Sequence, residues 1–282
     1  MIFDREAIYH RMIWLQLPPK LAHDISSWVL PWYGRIISIS PPKWQSVDWR
    51  HLHFPNPVGI AGGVDKEGSC VQSWWNFGAG FVEIGTVTPL PQTPNPGTIM
   101  LRDVKLQALW NKMGFPSSGA DAVAKRLAKI PSPRKTPVFI NIGKNRQTSL
   151  ENAFADYEII TKKLSPYADG LVINISSPNT PDLRKLQAPD KIAKIIEKVR
   201  SGSLKPEIPI LLKLSPDLIE NDLSDTVHSA LDANIDGFIF TNTTLARTSE
   251  MNFPAEGGVS GAPLANASKK ILAKAIDIMG AK

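Results

Sequence analysis

GLVINISSPNTPDLRKLQ, residues 170–187, decides the fold. Leu171, Val172, Ile173 and Ile175 form a short apolar, β-branched run, and such a run reads as a strand buried on both faces. Asn174 interrupts it near its end. Two serines, a proline, an asparagine and a threonine follow, and then a basic tail. The same pattern recurs along the chain. Apolar runs at 57–62, 80–88, 137–143, 170–176, 209–215 and 237–243 are separated by amphipathic stretches such as 151–164 and 189–200. Continuous apolar strands alternating with helices predict a parallel sheet covered on both sides.

Each strand carries polar residues at or just after its C-terminal end. In order these are Asp65 with Lys66, Glu83 with Thr86, Asn141 with Lys144, Asn174 with Ser177, Lys213, and Asn242 with Thr243. Sites in parallel α/β folds lie at the carboxyl ends of the strands. Polar groups repeated at every strand end predict an α/β barrel whose rim holds one polar ligand. An open doubly wound sheet is the alternative. It concentrates its signal in one glycine-rich turn, and AGGVDKEG (61–68) lacks the G-x-G-x-x-G spacing.

The chain has 282 residues, a length that a single α/β barrel fills. Its one cysteine, Cys70, excludes an internal disulfide and suits a reducing compartment. The first ten residues do not read as a cleaved signal, and no apolar run is long enough to span a bilayer. A net charge of +6 suits an anionic ligand or membrane surface. The lysines and arginines are scattered rather than clustered with aromatics, so nucleic acid is not expected as a partner. The five histidines show no metal-ligand spacing, and no metal is expected.

The first fifty residues differ from the rest and hold five of the eight tryptophans. They read as two amphipathic helices. The first runs to about Leu17 and is ended by Pro18 and Pro19; in the second, Leu21, Ile25, Trp28 and Val29 share a face. Composition favours a hairpin packed on the main domain, with a membrane interface as the competing reading. Between the second and third strands, residues 88–119 form an excursion in which TIMLRDV and KLQALW predict a hairpin and NKMGF a turn.

AGGVDKEG, EIGTVTP, NKMGF, INIGKN, INISSPNTPDLR, LLKLSPD, FTNTT and GGVSGAPL occur in this order. Together they resemble the dihydroorotate dehydrogenases, specifically the membrane-associated, quinone-reducing class 2. The resemblance implies a (β/α)8 TIM barrel of the FMN-dependent type at 46–282, preceded by a helical extension at 1–45 that forms the quinone entrance. It implies oxidation of dihydroorotate to orotate in pyrimidine synthesis, with FMN as hydride acceptor and a membrane quinone as electron acceptor. It also implies a monomer lying peripherally on the cytoplasmic side of the cell membrane.

By the same resemblance, Ser177 is the base that removes the substrate's proton, supported by Thr180 and Phe115. The soluble class 1 enzymes have cysteine there. Read alone, Ser176 and Ser177 are first of all caps of the following turn. The family's substrate contacts fall on Lys66, Asn111, Lys112, Met113, Gly114, Phe115, Asn174, Asn179, Asn242 and Thr243. Asparagine amides suit the carbonyl and N–H edges of orotate, and Lys66 suits its carboxylate. The FMN contacts fall on Gly62, Gly63, Val64, Asp65, Lys66, Thr86, Asn141, Asn174, Lys213, Thr241 and Gly261. Lys213 lies within an apolar run, where an unpaired ammonium is costly to bury, and is placed to stabilise negative charge on the reduced flavin. The tail PDLRKLQ is expected in a mobile loop closing over the site.

Two departures from the family stand out. After NKMGF the family commonly has asparagines, whereas this chain has Pro116, Ser117 and Ser118, so a local loop shift is expected; Lys112 stands where arginine is usual. The chain also stops at Lys282, before the last two strand–helix units and their phosphate-binding glycine turns. It is therefore expected to be a barrel truncated after the sixth unit. The competing functional readings are another FMN-barrel oxidoreductase, of the class 1 or dihydropyrimidine type, and a non-catalytic remnant.

Overall fold

The computed structural model describes residues 16–280 apart from residue 38. The first expected helix falls almost wholly outside the described residues. The second is α1 (Pro19–Ile36), opened by proline at its first turn. A short hairpin follows, β1 (Val47–Trp49) and β2 (Leu52–Phe54). Then come β3 (Ile60–Asp65), α2 (Val71–Asn76), β4 (Val82–Val87), β5 (Met100–Asp103), β6 (Ala108–Asn111) and α3 (Ala120–Leu127). The chain continues through β7 (Val138–Ile142), α4 (Ala153–Leu164), β8 (Gly170–Asn174), α5 (Pro189–Gly202), β9 (Ile210–Leu214) and α6 (Glu220–Asp232). It ends with β10 (Gly237–Phe240), β11 (Gly258–Gly261) and α7 (Ala262–Met279).

Six strands form one parallel sheet in the order β10-β9-β8-β7-β4-β3. These are the six strands expected from the sequence, and helices cover their outer face. Val82 and Ile84, Ile140 and Ile142, Leu171 and Ile173, and Leu212 and Leu214 point outward into one large core with the helices. The residues between them point inward, because side chains alternate along a strand.

The inward residues are stacked in two layers. Toward the N-terminal ends lie Phe81, Phe139, Val172, Leu211 and Ile239, sealed from below by Trp49, Leu52 and Phe54 of the first hairpin. Two residues further along each strand stand Glu83, Asn141, Asn174, Lys213 and Thr241. One step of the pleat thus turns an oily floor into a polar one. The layer is staggered in register: Asn174 is the direct partner of Lys213 across β8 and β9, whereas Glu83 pairs with Phe139, Asn141 with Val172 and Lys213 with Ile239, so the polar residues step by one pleat repeat between neighbouring strands.

Three expectations shift in the structure. The first strand begins at Ile60 rather than Pro57, and the glycine pair 62–63 lies within it. Asn56 is the cause: its Nδ2 donates to the carbonyls of Pro42 and Gly78 at 3.0 and 3.1 Å, and its Oδ1 accepts the Val58 N–H at 3.1 Å. The preceding residues are therefore a side-chain-stapled turn. The hairpin β5–β6 forms as expected and gains β11 as a third, antiparallel strand on β6. The tail after Ser177 is anchored, with Leu183 and Leu186 in a 3-10 turn and fully buried in the core.

That anchorage yields a stability prediction. Leu183→Ala removes a fully buried side chain, and unfolding in urea should show a loss of about 2–5 kcal/mol.

Candidate functional site

The C-terminal ends of the parallel strands open into a cavity of about 320 Å³, covered by the β5–β6–β11 sheet. Of the expected site residues, Gly62, Gly63, Val64, Lys66, Thr86, Asn111, Met113, Gly114, Phe115, Asn174, Ser177, Asn179, Lys213, Thr241, Asn242 and Thr243 all line it. They come from segments up to 181 residues apart, counting from Gly62 to Thr243, and the curled row of strand ends brings them together.

A continuous hydrogen-bond network forms the polar floor. Lys213 Nζ lies 3.1 and 3.4 Å from the two carboxylate oxygens of Glu83. Asn141 Nδ2 donates to Glu83 Oε1 at 2.6 Å, and its Oδ1 accepts from Thr86 Oγ1 at 2.5 Å. Asn174 Nδ2 donates to Thr86 Oγ1 and Asn141 Oδ1 at 2.9 and 3.1 Å. Asn242 Nδ2 extends the chain to Asn174 Oδ1 and Ser176 Oγ at 3.2 and 3.0 Å. From behind, the buried Tyr157 hydroxyl donates to the Asn174 carbonyl at 3.0 Å and fixes the end of β8. In a buried network each committed partner fixes the next, so the amide edges facing the cavity are preset.

Ser177 is buried at the cavity wall, and its Oγ accepts the Asn179 N–H at 3.2 Å. Thr180 Oγ1 is buried with no hydrogen-bond partner among the described residues. Asn179 Nδ2 donates to Asn111 Oδ1 at 2.9 Å, while Asn179 Oδ1 is buried without a partner. Unmet acceptors in a buried site are costly, and a ligand N–H satisfies them.

The turn carrying Phe115 is held from several sides. Gln92 Nε2 donates to the Gly114 and Phe115 carbonyls at 3.1 and 2.7 Å. Gly114 has φ +70°, and a Cβ there would stand 2.4 Å from Asn95 Oδ1, so only glycine fits. The loop after it has anchors of its own. Ser117 pairs its backbone with Gln92, and Ser118 N donates to Glu67 Oε1 at 2.9 Å. The serines are thus anchored by partners of their own, and Phe115 stays at the cavity.

Five expected residues do not line the cavity. Asn141 lies beneath it, in the floor network. Asp65 turns away: its carboxylate accepts the N–H groups of Ser69 and Cys70 at 3.0 and 2.9 Å, shaping the entry to α2. Burial raises its pKa above the usual carboxylate range. Lys112 points outward and pairs with Glu256. Thr180 lies in the wall behind Ser177. Gly261 meets the β5–β6 turn, where a Cβ would fall 2.1 Å from the Gln107 carbonyl oxygen; its neighbours Ser260 and Leu264 reach the cavity instead. Met100, Leu109 and Leu264, which supply apolar wall, were not expected, and Glu83, expected only as a polar strand end, belongs to the floor of the site. Glu83 had a legible signal, a carboxylate inside the apolar run FVEIG.

The cavity suits a flat heteroaromatic group with a polar edge. Ala61, Val64, Leu109 and Leu264 offer apolar faces, and Lys213 offers a charged donor at one edge, beside Thr86 and Asn174, whose own donors are committed to the floor. At Gly62 a Cβ would stand 2.3 Å from Glu83 Oε1, so glycine lets the backbone of β3 lie directly on the floor. Lys66 is the second cation and donates to the Gly63 carbonyl. Burial pulls its pKa down to about 8, against the raising effect of Asp65 and Glu67.

Comparison with known proteins gives one answer. The family model described as dihydroorotate dehydrogenase matches residues 45–280. A dihydroorotate dehydrogenase (quinone) of Anaeromyxobacter sp. is 42% identical, covering 87% of this chain and 69% of that protein. Its counterpart from Acidithiobacillus ferrooxidans is 39% identical, covering 94% of this chain and 78% of that protein. The crystal structure of DHODH in complex with ferulenol from Eimeria tenella superposes with a TM-score of 0.84 at 34% identity, covering 92% of this chain and 77% of that one.

The lowered Lys66 pKa has a direction that calorimetry can check. The ammonium is complete well below pH 8 and is lost as pH rises through about 8. A small planar carboxylate titrated into the protein should lose affinity above that pH, by up to about tenfold per unit. Lys66→Met should bind weakly at every pH and show no such dependence.

Proposed function

The chain belongs to the dihydroorotate dehydrogenase family, and from that premise we propose that it oxidises dihydroorotate to orotate at the rim cavity and passes the electrons to a membrane quinone. The family is FMN-dependent. Bound FMN accepts the hydride and delivers the electrons onward. The observation that carries the reading is the convergence of Ser177, Lys66, Lys213 and the asparagines 111, 174, 179 and 242 on one cavity.

The chain's own residues divide the work. Lys66 neutralises the substrate carboxylate. The four asparagines present amide donors and acceptors to the ring edges, held in place by the floor network and by Asn111–Asn179 pairing. Ser177 takes the proton from the ring carbon. Serine is a weak base in water, so it depends on exclusion of water and on a route that carries its own proton away. Burial of Ser177 and Phe115 supports the first condition, and the buried Thr180 hydroxyl, bonded to no described residue, is the candidate first member of that route. Gly62, Gly63, Val64, Thr86, Lys213 and Thr241 would hold the flavin ring, with Asn141 supporting them from the floor, and Lys213 would stabilise negative charge on the reduced ring.

α1 supports the quinone and membrane part of the proposal. One side of it docks on the barrel: Tyr33 stacks on Phe77 at 4.9 Å, and Ser73 Oγ donates to the Leu30 carbonyl. The other side leaves Trp28 and Trp32 81% and 65% exposed, beside Leu21 and Ile36. No helix among the described residues is long and apolar enough to cross a membrane. Exposed tryptophans on an amphipathic helix suit the bilayer interface. A cavity of about 420 Å³ lies between α1 and the hairpin, lined by His23, Val29 and Arg102 among others. Met100 and Leu109 border both this cavity and the site, so the path from α1 to the flavin is one side chain thick.

Two measurements test the proposal. With FMN bound, dihydroorotate should bleach the flavin anaerobically and a quinone should restore it, whereas fumarate or NAD should not. Ser177→Ala should keep FMN and lose about 10²–10⁴-fold in the bleaching rate. A protein that binds no FMN, or one in which the alanine variant is reduced at the parent rate, sinks the reading. Trp28→Ser with Trp32→Ser should reduce co-sedimentation with anionic lipid vesicles by at least about tenfold, since each ring gives up roughly 1.5–3 kcal/mol of burial. Unchanged sedimentation removes the membrane role of α1.

A further inference from the structure

Lys213 lines the site cavity, but its counterion does not. Glu83 faces the aromatic cavity beneath, beside Phe54, Phe81 and Phe139, and meets Lys213 from below. Both side chains are almost wholly removed from water, at 4% and 6% exposure. Lys213 also sits close enough to Lys66 for the two positive charges to disfavour each other. Asp236, the other carboxylate of the lower cavity, is already committed to Arg50 and Arg200. Asn141 and Asn174 are neutral. Glu83 is therefore the anion that opposes Lys213 in this floor.

A buried ion pair adds little to stability compared with apolar residues of the same volume. An apolar pair would also continue the layer of Phe81, Phe139 and Leu211 directly below. The pair is better explained by the charge it holds in the site. An ammonium in dry surroundings beside a second ammonium sheds its proton unless an anion retains it.

We propose that Glu83 is a positioning residue that keeps Lys213 an ammonium while the flavin ring is oxidised and neutral, so that the positive charge is in place before electrons arrive. This rests on the flavin reading above. In the parent protein two electrons and one proton then convert the neutral ring to its anionic reduced form, and Lys213 exchanges no proton. In Glu83→Gln the Lys213 amine is neutral beside the oxidised ring. Reduction draws a second proton, onto the Lys213 amine, to balance the new negative charge.

The test is the pH dependence of the flavin midpoint potential, measured against redox dyes on the FMN-loaded protein between pH 6.5 and 8. One additional proton per two electrons steepens the slope by about 30 mV per pH unit, the value of a tenfold change for a two-electron couple. Glu83→Gln should show that steepening. Glu83→Gln combined with Lys213→Arg should return to the parent slope, because a guanidinium does not give up its proton. A merely structural glutamate leaves the slope unchanged, and an unchanged slope overturns the proposal. If Glu83→Gln does not hold FMN, Glu83→Leu, which likewise removes the anion, is read the same way: steeper supports, unchanged overturns. Dihydroorotate that fails to reduce the parent's flavin defeats the functional reading instead. A parent that is reduced normally, with an unaltered slope in the variants, defeats only this one.

Discussion

The contact between Lys213 and Glu83 spans the interior of the curled sheet, from β9 to β4 across β7 and β8. The rest of the site is arranged around it. Two charges so deeply buried require further partners, and Asn141 supplies the first. Asn141 in turn fixes Thr86 and Asn174, and Asn174 fixes Asn242. Removing either charge leaves the other unpaired in a dry interior, so the strands are tied to one register by their polar layer as firmly as by their apolar one.

That layer is a consequence of strand geometry. Phe81 to Glu83, Phe139 to Asn141, Val172 to Asn174, Leu211 to Lys213 and Ile239 to Thr241 are each one pleat repeat apart. Neighbouring strands are staggered by one such repeat at three of the four junctions, and the hydrogen bonds from Lys213 through Glu83, Asn141 and Asn174 join the staggered residues into a continuous floor. The outer face meanwhile stays apolar against the helices. Function therefore sits where the core stops, and the same strands that supply the packing aim the polar groups.

Much of this was legible in the sequence. Six apolar, β-branched runs of strand length predicted the parallel sheet, and the polar residues at their ends predicted the rim. What escaped were features set by side chains acting across the chain. Asn56 staples a turn where the apolar residues 57–59 suggested strand. Val259 reads as one residue in a glycine-rich loop until β6 offers it an edge to pair with. Leu183 and Leu186 look like part of a basic, mobile tail, yet their spacing lets one 3-10 turn drive both into the core. Asp65 and Gly261 stand at motif positions, and their local surroundings, a helix entry and a hairpin turn, claim them first.

The anchored tail also changes how closure of the site is understood. Arg184 extends from it and donates to the Ser176 carbonyl at 3.1 Å, to Asp217 at 2.9 Å and to the Thr243 carbonyl at 3.4 Å. One side chain thus joins the segment bearing Ser177 to the ends of β9 and β10. Asp217 is shared, since it also accepts the Leu245 N–H at 2.9 Å. The ion pair is partly exposed, so its Coulombic worth is modest, but its geometry constrains three loops at once. Opening the segment around Ser177 requires breaking these bonds together, whereas Leu183 and Leu186 can remain seated as its pivot. The basic residue in the tail thus ties the wall of the cavity to the ends of two neighbouring strands.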